Sequence, residues 1–366
     1  MIEENRYTVL PKVSIRPDSF TFYNQFYKNF GVDHVEKIAM NPDVKKALQE
    51  MGALPTRLVD SNKHNLELSH KAAKRIREKV NWIFALSKKR DIITHDGTNI
   101  FGFKMNFITL TLPAQQAHST DVIIKSCLNQ TLTELKAKFN LQNYVWRLEY
   151  QKNGNAHFHI ATDCFMEYWA VRSIWNRCLN KLGYVDRYMN ANINLTFEEY
   201  CAKVNYSNTY DTETLERMYK FGVETSWSKP NSVDVRVVKS GANIAFYIAK
   251  YITKKDKKIV SAYEQMQKDS LIELLKKREG SNSNMRLWFC SRSLSKIDKI
   301  SLFMEEVNDL AESCYKEVVA NFVAVHDYCK VVYFNLSKQS NIFKRQFRDL
   351  IYNYASLTGY FDLKIT

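Results

Sequence analysis

Apolar and polar positions alternate twice in quick succession over residues 144–163, first in YVWRLEYQ and then in AHFHIATD. A period of two marks half-buried strands. The Asn153-Gly154 pair between the two runs is a strong hairpin signal, because both residues accept the positive φ that tight turns demand. Residues two apart on a strand project to one side, so His157 and His159 share a face of the second strand. Glu149 and Gln151 share a face of the first. The loop decides whether these two sets meet. A two-residue loop sets His157 opposite Tyr150 and turns Glu149 to the other side of the sheet. A three-residue loop with a bulge sets His159 opposite Glu149 and His157 opposite Gln151. If these side chains act together, an odd loop or a bulge is expected.

The same reading places the other elements. Residues 107–113, FITLTLP, form a β-branched strand ended by proline. Ser119 or Thr120 caps a helix to about 139, and a second helix from 167 ends at Gly183. Residues 190–230 are acidic and polar and read as an insertion with one or two short helices. A strand follows at 232–239, and Ser240 opens a helix to about 255. Before the core, residues 69–90 form a helix with an apolar stripe through Ile76, Val80 and Ile83. Between 71 and 90 it carries eight Lys or Arg against Glu78 alone, which suits either a solvated face or contact with backbone phosphates. Residues 1–68 give no clear pattern. Beyond 259 the spacing predicts helices near 261–278, 294–318 and 340–354, with strands near 286–290 and 330–336.

Strand, helix, two strands, helix, insertion, strand is the βαββαβ order of ferredoxin-like sheets, so the expected class is α+β with an antiparallel sheet. The expected organisation is a mainly helical extension over 1–98, the core over 99–258 and a mainly helical region over 259–366. Helices on one face of such a sheet leave the other free for a site.

Charge narrows the function. The net charge of +14 favours a polyanionic partner, nucleic acid above all. No run of eighteen apolar residues predicts a membrane span, and the N-terminus MIEENRYTVLPKV lacks the apolar stretch of a secretory signal. Seven scattered cysteines without a Cys-x-x-Cys pair read as reduced thiols of a cytosolic protein, not a zinc ribbon. No phosphate-binding G-x-x-x-x-G-K-[ST] loop occurs, so no helicase motor is expected.

Two imidazoles and a carboxylate on adjacent strands can hold a divalent metal and leave positions open for substrate. The candidate ligands are His157, His159 and Glu149, with Gln151 as a further ligand or an outer partner. Downstream, ANIAFYIAKYITKK puts Tyr247 and Tyr251 on one helical face, each followed three residues later by a lysine, Lys250 and Lys254. Taken alone, this pair also fits two core tyrosines on a basic helix.

FITLTLP, the triplet His157-Phe158-His159 and the Tyr247 to Lys254 run stand in the order of the three motifs of HUH endonucleases. The chain resembles the two-tyrosine branch of that superfamily, the rolling-circle replication initiators of small single-stranded DNA bacteriophages of Microviridae type. The resemblance covers roughly 100–258 and extends weakly to MRLWFCSRSLSK at 285–296. It implies that Mg2+ or Mn2+ on His157, His159 and Glu149 binds the scissile phosphate of origin DNA. Tyr247 or Tyr251 then attacks, leaving a 5′-phosphotyrosine and a free 3′-OH. It also implies lysine assistance from Lys250 and Lys254, a host helicase and polymerase as partners, and action in the host cytoplasm. The alternatives are an HUH transposase or relaxase, or a DNA-binding protein that keeps the fold without catalysis.

Overall fold

Two five-stranded antiparallel sheets organise the computed structural model, which describes residues 7–28, 68–88, 90–93, 100–204, 209–238, 262–279, 286–297, 300–303 and 309–358. Strands β1 (Tyr7–Arg16) and β2 (Ser19–Lys28) form a hairpin around Pro17-Asp18. Helix α1 (His70–Leu86) begins at Ser69, whose hydroxyl accepts the Ala72 amide. A short ribbon of β3 (Arg90–Ile93) and β4 (Ile100–Phe103) leads into β5 (Met105–Leu110). Helix α2 starts as Thr120–Ile123 under a Ser119 cap, passes a π turn over Ile124–Leu128 and continues as Asn129–Phe139. Then come β6 (Tyr144–Tyr150), β7 (Ala156–Thr162) and α3 (Tyr168–Asn180). Helices α4 (Tyr184–Asn190), α5 (Phe197–Val204) and α6 (Thr212–Glu224) precede β8 (Val233–Val238). The rest comprises α7 (Ala262–Glu279), β9 (Trp288–Cys290), α8 (Arg292–Lys296), β10 (Ile300–Phe303), α9 (Asp309–Lys316), β11 (Phe322–His326), β12 (Cys329–Tyr333) and α10 (Asn341–Thr358).

The first sheet runs β10-β1-β2-β12-β11 and the second β8-β5-β7-β6-β9. Counting only the four core strands in chain order, the second sheet reads fourth, first, third, second. Every neighbour is antiparallel. One face of this sheet is fully apolar. Ile108, Leu110, Trp146, Leu148, Phe158 and Ile160 pack there against α2 and α3. The opposite face is apolar only at one end. Met105, Val145, Ala161 and Cys290 join a second cluster with Ile83 of α1, Val13 and Ile15 of the first sheet, and Phe343 of α10. The hairpin end of that face is polar and carries the site.

The α+β class holds. The N-terminal part differs from the expected mainly helical extension, since its first described element is a hairpin of two ten-residue strands. Long-range pairing with β12 and β10 stabilises it, and single-sequence periodicity does not report such pairing. The helix expected over 294–318 is divided. Ile297 is extended, and β10 then adds to the edge of β1 before α9 begins. The expected strand near 288 is present and pairs with β6, so the core sheet recruits its fifth strand from beyond residue 259. The helix expected over 240–255 lies outside the described residues. Among the described residues no helix is long and apolar enough to cross a membrane.

Candidate active site

The hairpin loop determines which side chains can meet. Gln151 N–H donates to the Asn155 carbonyl at 2.9 Å and Gly154 N–H to the Gln151 carbonyl at 2.8 Å, leaving Lys152-Asn153-Gly154 as the loop. Gly154 has φ +80, a left-handed conformation that L side chains adopt at a cost. This is the odd loop with a left-handed glycine that the sequence requires if the histidines and Glu149 are to share a face. The register is two residues away from the expected pairing: Glu149 lies opposite His157, and Arg147 opposite His159. A shift of two keeps every side chain on its face.

Glu149 therefore reaches His159 diagonally. Its Oε2 stands 3.2 Å from His159 Nε2, with the two side chains 16% and 5% exposed. On the other side of the imidazole, Nδ1 stands 3.3 Å from the Thr109 hydroxyl on β5. A hydroxyl can donate or accept, so Thr109 serves either tautomer of the ring. The Phe107 ring stacks on the same imidazole, with centroids 5.5 Å apart and planes at 21°. His157 meets His159 edge to face, with centroids at 4.5 Å.

These contacts test the fit of a divalent ion. Among the described residues, no three His, Cys, Asp or Glu side chains converge on one point as they stand. The donor chemistry nonetheless suits an ion. Two ligands each about 2.1 Å from one ion, at roughly a right angle, lie about 3 Å apart, and this matches the His159–Glu149 separation. With the ion bound, Nε2 gives up its proton and Nδ1–H donates to Thr109. An outer hydrogen bond of this kind orients a metal-ligating histidine.

The register adds residues that the sequence reading missed. Asp234, Thr109, His159, Arg147 and Trp288 form one row across all five strands. Arg147 sits two residues before Glu149, so the period of two alone would have found it. Asp234 is ion-paired with Arg236 at 2.7 Å. Thr109, whose role the sequence left open, is in contact with the site. Gln151 belongs to the turn.

A buried polar network fixes the hairpin tip. Asn155 Oδ1 accepts the Gln116 amide at 2.8 Å, and Gln116 Oε1 accepts the Ala156 amide at 2.7 Å. Thr120 donates through its backbone amide and its hydroxyl to Glu279 at 2.8 and 2.7 Å, and Arg278 donates to the Gly154 carbonyl at 2.8 Å. The C-terminal end of α7 is thereby bolted to the loop next to the histidines. Tyr150 is the tyrosine nearest the histidines in sequence. Burial pushes its phenol up to about 12, and it donates to Thr120, so it is no nucleophile.

The structure thus brings together His157, His159 and Glu149. Tyr247, Tyr251, Lys250 and Lys254 lie outside the described residues. Residues 105–256 match the family model of the Replication-associated protein ORF2 group. No protein of curated function matches the chain, and no solved structure does. The matched range begins at β5 and runs through β8 and both tyrosines. The core is similar to a replication-initiator family, and that similarity supports an interaction with DNA.

Proposed function

We propose that this protein is an HUH rolling-circle initiator of the two-tyrosine, Microviridae-type branch, which nicks and rejoins single-stranded origin DNA. One observation carries the reading. Glu149, His157 and His159 lie on one face of adjacent strands, in a sheet whose strand order is that of a ferredoxin-like core. The family match over the same residues supports it.

In this reading His157, His159 and Glu149 hold Mg2+ or Mn2+, which when bound neutralises the scissile phosphate and eases departure of its 3′-oxygen. Thr109 and Phe107 hold the His159 ring in place. Arg147, beside His159, adds fixed positive charge where phosphate charge accumulates. Tyr247 or Tyr251 forms the new O–P bond through its phenolic oxygen. Lys250 and Lys254 favour the phenolate, which is otherwise scarce because a free phenol has a pKa near 10. The bond to the 3′-oxygen breaks, and that oxygen leaves as the 3′-OH that a host polymerase extends while a host helicase unwinds, in the cytoplasm of the bacterial host. Because the phosphodiester energy is retained, the second tyrosine can cut the regenerated origin. The freed 3′-OH then attacks the first phosphotyrosine and closes a circle.

The test is a denaturing gel. Protein incubated with single-stranded DNA of its replicon and Mn2+ or Mg2+ forms a covalent adduct, and the double change Tyr247→Phe, Tyr251→Phe abolishes it. An adduct that survives the double change overturns the tyrosine assignment. No adduct with any strand leaves a DNA-binding protein without catalysis.

A further inference from the structure

We infer that the outer face of the first sheet is a second surface for single-stranded DNA, gripping bases by stacking on exposed aromatic rings. The register defines that face. Val13 and Ile15 of β1, Phe20 of β2 and Val332 of β12 point into the shared core. The alternate residues point the other way: Lys12 and Arg16 on β1, Tyr23 on β2, Tyr333 on β12, and Phe322 and His326 on β11. Phe322 is 63% exposed, Tyr333 43%, and Tyr328, in the turn after His326, 78%.

The rings are arranged in pairs. Phe322 and Tyr333 lie directly opposite each other and stack, with centroids at 6.1 Å and planes at 25°. His326 and Tyr328 stack at 5.9 Å and 17°. Flat exposed rings on adjacent strands are what sequence-tolerant single-strand binding uses, since every base has a π face. Charge complementarity selects this partner. Along β1, β2, β12 and β11 the outward positions carry Lys12 and Arg16 and no Asp or Glu, in a chain of net charge +14. Arg16 also pairs with Glu78 at 3.2 Å. The acids nearby, Asp18 and Asp327, lie in the turns at the margins. A DNA strand held here would stay with the protein while a nick elsewhere is made and resealed.

The experiment compares the full-length parent with Phe322→Ala, Tyr333→Ala by fluorescence anisotropy on a labelled oligothymidylate at several salt concentrations. Loss of two stacking rings should weaken binding about tenfold or more. The aromatic exchange Phe322→Tyr, Tyr333→Phe keeps the π faces and should bind like the parent. An affinity within about twofold of the parent, in a double-alanine variant that melts normally, overturns the proposal. So does parental self-association that the double-alanine change abolishes without altering oligothymidylate affinity, for then β11 is an edge between copies of the chain. The proposal is separable from nicking. If the parent forms no covalent adduct while binding still depends on Phe322 and Tyr333, the nicking reading fails and this surface stands.

Discussion

The two sides of strand β7 are built on opposite principles. Toward the helices, Ala156, Phe158 and Ile160 are fully buried, and Phe158 is wedged edge-on between Trp146 and Trp175. Toward the other side, the alternate residues His157 and His159 meet Glu149, Thr109 and Phe107. The apolar side supplies the energy and the polar side the chemistry. A strand whose one face is locked by packing holds the other face's side chains rigidly, with little cost to stability when those side chains change.

The most direct way to break that division is to cut one residue from each side. Phe158→Ala should destabilise the fold by about 3–5 kcal/mol, read as a lower urea midpoint. His159→Ala should cost under about 2 kcal/mol of stability, the scale of lost hydrogen bonds. Adduct formation should nevertheless fall about a thousandfold, since several kcal/mol of phosphate-charge stabilisation disappear. Equal destabilisation by both changes would mean that the polar side is structural after all.

How far this division was legible can be argued from single residues. The period of two put His157 and His159 on one face, and Asn153-Gly154 announced the turn, because both signals are local. The loop length also followed, once Glu149 was required on the histidine face. Which residues pair directly did not follow. Glu149 opposite His157 depends on where the turn begins, and Lys152 in place of Asn155 completes the loop. Arg147 was passed over because one arginine on a strand gives no signal until its partner across the sheet is known. The β1–β2 hairpin and β10 were illegible for the same reason. Their partners β12 and β1 lie hundreds of residues away, and nothing local reports pairing over that distance.

The turn that separates the two sides is the next target. Gly154→Ala forces a left-handed φ on a residue with a Cβ, which costs roughly 1–2 kcal/mol. The new Cβ would also meet Leu274 Cδ2 at 2.7 Å, but that is the end of a half-exposed side chain and can move. The expected result is a lower melting temperature with the histidine face preserved. If adduct formation instead vanishes in a variant that stays folded, the loop has slipped by one residue and exchanged the faces.

A smaller effect should come from Thr109→Val, which keeps the shape and removes the hydroxyl at His159 Nδ1. Outer partners of this kind typically contribute a factor of about 10–100 in metal affinity. Titration with Mn2+ should register that loss while urea unfolding barely moves. An unchanged Mn2+ affinity would show that the stacked Phe107 ring alone sets the imidazole's orientation.

The least effect is expected at the far end of the same polar side, where chemistry gives way to core. Asp163 follows β7, in sequence step with His157 and His159, and accepts from Asn143 Nδ2 at 2.8 Å. Burial raises its carboxyl pKa, while the Asn143 hydrogen bond and the charge of Arg90 pull it partway back. The folded state therefore holds this proton more tightly than the unfolded chain does. The stability it contributes is complete below the ordinary carboxylate range and is lost as pH rises through the raised value. Asp163→Asn keeps an oxygen for Asn143 and removes the ionisation. The variant should show a flatter rise and fall of melting temperature across mildly acidic pH, and at neutral pH it should melt at or slightly above the parent. If parent and variant instead lose stability in parallel through that window, the carboxylate is as well solvated by its neighbours as by water. The polar character of this side would then extend the full length of the strand rather than ending at His159.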